Sequence, residues 1–199
     1  AIANGLVKKP AVATRKDFDP SQYDATTLDR LKLLDGVRIH ENTKAELAIY
    51  ARDKEAREVK PFMLVVAVDT NHAKELKEMI QQDDFFNGYY KDKVMDIHSN
   101  QSGSEKDENI ELLLSLEDPA NRIEIVIHVN MLKEGWDVTN LYTIVPLRTS
   151  ASRTLTEQTL GRGLRLPYGK HTGDDSVDTL TIVQHDKIQD LVDEANKPD

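Results

Sequence analysis

From Pro61 onward, short continuous apolar runs alternate with stretches whose apolar residues recur every three or four positions. "FMLVVAV" (Phe62–Val68) is unbroken and rich in β-branched residues, the pattern of a strand buried on both faces. In "DTNHAKELKEMIQQ", which follows, Ala73, Leu76, Met79 and Ile80 share one face of a helix. "KVMDIHS" (Lys93–Ser99), "IEIVIHVN" (Ile123–Asn130), "LYTIVPL" (Leu141–Leu147) and "DTLTIVQ" (Asp178–Gln184) predict four more strands. "SEKDENIELLLSLED" predicts a helix whose acidic first turn suits the helix dipole. "SRTLTEQTLGRGLR", with Ser152 as its cap, and "HDKIQDLVDEAN" predict two more. Strands that alternate with helices imply an α/β domain with a mainly parallel sheet flanked by helices. In such sheets function gathers in the loops beyond the carboxyl ends of the strands.

The beginning of the chain is less regular. "KPAVATRKDFDPSQYDATT" is polar, contains two prolines and reads as an irregular or linker segment. "LDRLKLLDGVRIHENT" reads as a short helix, a turn at Asp35-Gly36 and a short strand. Thr43 with Glu46 three residues on has the form of a capping box. With Leu47, Tyr50 and Ala51 as a narrow apolar stripe, it predicts a helix of about four turns. The expected organisation is therefore a linker or extension over residues 1–42 and one domain over 43–199.

Composition narrows the classes. The 199 residues are 39% hydrophobic and 31% charged, which suits a globular domain rather than a disordered chain. The apolar runs are too short to span a bilayer, so no membrane association is expected. The start lacks the apolar core of a signal peptide, and the absence of an initial Met suggests a fragment or a processed chain. There are no cysteines, which removes disulfides, zinc–thiolate sites and cysteine nucleophiles and agrees with a cytoplasmic location. A net charge of -9 argues against a broadly basic nucleic-acid binder. The charge is unevenly spread, however. Residues 131–170 hold six Lys or Arg against three Asp or Glu, while 172–199 hold two against eight.

The basic stretch contains "TEQTLGRGLRLPYG" (Thr156–Gly169). Gln158, Arg162 and Arg165 fall at i, i+4 and i+7 and share a helical face. A solvated face would explain the arginines but not Gly161 and Gly163, each costing roughly 1 kcal/mol of helix propensity against Ala. Close approach of a ligand or backbone would explain both, because the guanidinium fork matches phosphate oxygens. Before it, "NMLKEGWDVTNL" (Asn130–Leu141) places Gly135 and Asp137 beyond a buried strand. "HSNQSGS" (His98–Ser104) is rich in groups that can grip phosphate or simply cap the next helix. There is no G-x-x-x-x-G-K-[ST] phosphate loop and no Asp-Glu pair ending an apolar strand to hold magnesium. No spacing of histidines suggests a metal site, and His98 and His128 read as packed strand residues. "EVK" (Glu58–Lys60) matches a nuclease fragment, E-x-K, that is common by chance.

Together, "MLKEGWDVTNLYTIVPLR" and "EQTLGRGLRLPYG" resemble motifs V and VI of superfamily 2 helicases and translocases. The wording is most similar to the Res subunit of type III restriction-modification enzymes, and the resemblance runs from about Leu31 to Gln184. "DGVRIHENTKAELAIY" and "KPFMLVVAVDTNHAKEL" also look like that family's second motor domain, the latter at the motif IV position. The resemblance implies a RecA-like second helicase domain without the phosphate loop, led into by residues 1–42 from a missing first motor domain. ATP and Mg2+ would then lie between the two domains of the full-length protein, and none is expected bound to this chain alone. By resemblance Arg162, Arg165 and Gln158 are catalytic, and Gly135, Asp137 and Gly161 contact ATP. Ser99, Asn100 and Thr139 would lie on nucleic acid. Implied partners are double-stranded DNA, the first motor domain and a methyltransferase subunit. Other readings stay open: a non-catalytic docking or DNA-binding module of the same fold, or a motor domain of an RNA or repair helicase.

Overall fold

A computed structural model describes residues 7–98, 103–129, 138–147 and 165–184. Its centre is a six-stranded sheet of β1 (Lys9–Ala13), β2 (Phe62–Val66), β3 (Val94–His98), β4 (Ile125–Val129), β5 (Leu141–Pro146) and β6 (Thr179–Val183). The strand order is β1-β6-β5-β2-β4-β3, and every pairing between these strands is parallel. The helices are α1 (Ala25–Asp53), α2 (Thr70–Ile80), α3 (Gly103–Leu114) and the single turn α4 (Asp175–Asp178).

The unbroken apolar strands follow from burial on both faces. In β2, Met63 and Val65 point toward Leu33 and Val37 of α1 and Leu76 and Ile80 of α2. Phe62, Leu64 and Val66 point the other way, into a cluster with Leu113 of α3 and Leu116 beyond it. Each side chain in this strand is 3% exposed or less, so polar alternation has no place here. Asp69 caps α2 by accepting from the His72 amide at 2.8 Å, and Asp24 caps α1 by accepting from Thr27 at 2.7 Å.

Two sequence expectations need correction. α1 is one helix of 29 residues that runs through Asp35-Gly36, where a turn and a strand are expected, and through Thr43, where a cap is expected. Contact with the sheet explains this. A Cβ on Gly36 would stand 2.4 Å from Cγ2 of Val145 and 3.0 Å from Sδ of Met63. The glycine lets the helix axis approach the sheet, and that packing outweighs a propensity cost of about 1 kcal/mol. The second correction concerns "KPAVA", which is not linker but the edge strand β1, registered against β6 from Lys9 opposite Thr179 to Ala13 opposite Val183. No described strand pairs with its outer edge, which suits Pro10, and Val12 is 56% exposed. The expected boundary between residues 42 and 43 falls inside α1.

A buried polar cluster lies at the amino end of β4. Nε2 of His40 donates to Glu124 at 3.0 Å, and Nζ of Lys44 reaches Glu124 at 2.7 Å and Glu41 at 3.1 Å. Tyr90 donates to Glu41. Burial opposes ionisation of Glu124, but the hydrogen bonds from His40 and Lys44 outweigh it and hold the carboxyl at about 2. His40, Glu41 and Glu124 are close enough to surround a cation, and the Lys44 ammonium already stands among them.

Candidate functional site

The chain leaves the sheet at the carboxyl ends of β3 (His98), β4 (Val129) and β5 (Pro146) just before the segments with the expected site residues. From β2 the path runs outward to β3 and back to β4, then crosses β2 to reach β5. This reversal is the kind of point at which open parallel sheets take up ligands. Ser99, Asn100, Gly135, Asp137, Gln158, Gly161 and Arg162 lie outside the described residues. Thr139 and Arg165 are described, and the structure brings their backbones together.

The joint is Lys8. Its Nζ donates to the carbonyl of Thr139 at 2.7 Å and to the carbonyl of Arg165 at 2.8 Å. The same ammonium lies 4.5 Å from the ring centroid of Tyr142, which adds a cation–π contact. Lys8 is 1% exposed, and burial lowers its pKa to about 7 against a smaller opposing pull from Glu117. Next to it, Val7 makes an antiparallel bridge with Arg165. The two segments expected to carry motifs V and VI are thus tied to one another and to the strand that opens the sheet.

Both segments are held at further points. Asn140, next to Thr139, is buried; its Nδ2 donates to the Lys60 carbonyl at 2.9 Å, while its own carbonyl accepts from the Phe62 amide at 3.0 Å. Thr139 directs its hydroxyl to Glu117. After Arg165, the Pro167 carbonyl accepts from Arg57 at 2.7 Å, and the Tyr168 hydroxyl donates to the Arg57 carbonyl at 2.6 Å. The Tyr168 ring packs on Tyr50 with centroids 5.6 Å apart. Gly169 closes the turn with φ +73°, donating to Leu166 at 3.1 Å. Arg165 itself is exposed. Its backbone is fixed by Lys8 and by the bridge to Val7.

Two other expectations can be placed. His128 is buried on β4 with neither ring nitrogen hydrogen-bonded among the described residues, and burial lowers its pKa to about 4, so it packs as a neutral ring. Lys60 of "EVK" donates to the carbonyls of Leu116 and Ile123 at 3.1 and 2.7 Å, a structural task rather than a nuclease one. Lys8 and Arg57 are absent from the sequence reading. Neither sits in a periodic pattern or motif, and only the long-range contacts give them meaning.

No protein-family model matches the sequence. The chain is 37% identical to the EcoPI Res subunit of Escherichia phage P1 and 36% identical to the EcoP15I Res subunit of Escherichia coli, each a type III restriction-modification enzyme. Each match covers 46% of this chain and 11% of the relative, so the chain spans a small part of those proteins. Among solved structures, S. cerevisiae Dbp5 bound to RNA and ADP BeF3 aligns with a TM-score of 0.53 at 13% identity, covering 96% of this chain and 38% of that one. The ATP-dependent type ISP restriction-modification enzyme LlaBIII, bound to DNA, aligns with a TM-score of 0.50 at 18% identity, covering 92% and 12%. No helix among the described residues is long and apolar enough to cross a membrane. The chain has the fold of a RecA-like helicase second domain and is similar in sequence to the Res subunits of type III restriction-modification enzymes.

Proposed function

We propose that this chain is the second motor domain of an ATP-dependent DNA translocase similar to the type III Res subunits. One observation carries the reading: Lys8 joins the carbonyls of Thr139 and Arg165 at the amino-end rim of the sheet and so fixes the backbone of Arg165. A domain that only preserved the fold would have no need to fix an exposed arginine beside the end of the preceding crossover. A domain that offers this arginine to a phosphate has that need, because electrostatic stabilisation depends on donors held in place beforehand.

ATP is the substrate in this reading, with Mg2+ and the phosphate loop supplied by a first RecA-like domain of the same polypeptide. Arg165 and Arg162 would stabilise the charge on the transferring phosphoryl group, with Gln158 helping to sense or position the γ-phosphate. Gly135, Asp137 and Gly161 would line the nucleotide side. Ser99 and Asn100, which follow the carboxyl end of β3, would meet the DNA backbone, and Thr139, before the amino end of β5, would meet it from the opposite rim. For Thr139 this contact would be made in exchange for its bond to Glu117. Double-stranded DNA and a methyltransferase subunit are the proposed partners, in the cytoplasm. The test is ATP turnover by the full-length protein with Arg165→Ala, expected to fall by about 10³-fold or more.

A further inference from the structure

We propose that Lys8 is a positioning residue for Arg165, through which the chain entering the domain controls where that arginine points. The proposal rests on the functional reading above and adds to it a residue that no motif contains. Two features of Lys8 support it. Its ammonium is fully buried, yet its two hydrogen bonds go to main-chain oxygens of segments 131 and 157 residues away in sequence. A buried lysine is costly to desolvate, and an apolar residue would fill the same space beside Tyr142 without that cost. The hydrogen bonds are therefore what the lysine contributes at this position.

The contact also has a direction. Val7 bridges Arg165 and Lys8 bonds to its carbonyl, so the residues immediately before β1 form one face of the arginine's backbone site. On the far side, Arg57, in the loop after α1, is hydrogen-bonded to residues 167 and 168, and the Tyr168 ring packs on Tyr50 of α1. The segment is held between a clamp at Arg57 and a second clamp at residues 7 and 8. A displacement of residues 7 and 8 would break the Lys8 bonds while leaving the Arg57 clamp in place, and the Arg165 backbone would turn about that contact. Movement of the incoming chain and placement of the arginine are thus mechanically one event.

The test is a double-mutant cycle in the full-length protein, with steady-state ATP hydrolysis measured for Lys8→Met, Arg165→Ala and the pair. Lys8→Met keeps the length of the side chain and removes its donors. The expected result is a kcat lower by roughly tenfold to a hundredfold, the cost of misplacing a catalytic group, with KM for ATP within about twofold. In the Arg165→Ala background the same change should cost less than about twofold, since a positioning residue has no effect once its client is gone. An equal loss in both backgrounds, or an unchanged kcat for Lys8→Met beside a disabled Arg165→Ala, overturns the role of Lys8 and leaves the motor reading standing. Normal turnover by Arg165→Ala overturns the motor reading itself. Should Lys8→Met lack a cooperative melt, Lys8→Gln, which keeps a shorter donor, runs the same cycle under the same criteria.

Discussion

The Nζ of Lys8 lies 2.8 Å from the main-chain oxygen of Arg165, in a site where the lysine has almost no contact with water. Burial lowers its pKa from 10.5 to about 7, and Glu117 only partly opposes this. The unfolded chain therefore binds a proton at Lys8 over a range in which the folded chain does not. Stability at this site is penalised in full below about pH 7, and the penalty is relieved as pH rises from 7 toward 10. Denaturant unfolding of Lys8→Met beside the unmodified chain should show this. The stability of the Met variant relative to the unmodified chain should be highest below pH 7 and should fall toward pH 10. A constant difference across that range would mean that Lys8 keeps an ordinary pKa.

Gly36 and Val145 give a prediction about packing. Ala normally stabilises a helix interior by about 1 kcal/mol relative to Gly. Here its methyl would stand 2.4 Å from Val145, so Gly36→Ala should instead destabilise by about 1–3 kcal/mol, the usual range for overpacking. Shortening the obstacle should reverse the sign of the coupling. Gly36→Ala with Val145→Ala should be more stable than the two single effects added together, as measured by urea unfolding. Simple additivity would show that the helix can shift away from the sheet without cost.

Glu124 gives the acid-side prediction. Its carboxyl is held at about 2, against an ordinary 4.5, by His40 and Lys44 despite burial. The stabilisation is fully present above about pH 4.5 and is lost as pH falls through about 2. Glu124→Gln should cost roughly 3 kcal/mol at pH 7, the low end for breaking a buried pair, because Lys44 retains Glu41. The variant should also unfold over a flatter pH profile in acid. Thermal melts between pH 2 and pH 7 would expose a contrary result, in which both proteins lose stability in parallel.

The five strands after Pro61 could be read from the sequence because burial on both faces leaves an unmistakable record, as in "FMLVV" and "IVIHV". α2 was equally legible from the spacing of Ala73, Leu76 and Ile80. β1 left no such record, since an edge strand needs little apolar surface and accepts a proline. α1 was hidden for a different reason. Asp35-Gly36 carries the local chemistry of a turn, and only the distance to Val145 shows why a glycine belongs in the middle of that helix. The candidate site divides in the same way. Arg165 stands in a motif that can be recognised from its neighbours, whereas Lys8 acquires its role through partners more than 130 residues away.

The central claim is that Arg165 is presented to a phosphate that another domain holds. The most direct measurement is the steady-state ATPase rate of the full-length protein with DNA present, before and after Arg165→Ala, with folding of the variant confirmed by its melting transition. The account predicts that kcat falls by about 10³-fold or more while the melting temperature stays near that of the unmodified protein. A folded Arg165→Ala variant that turns over ATP at close to the normal rate would contradict it.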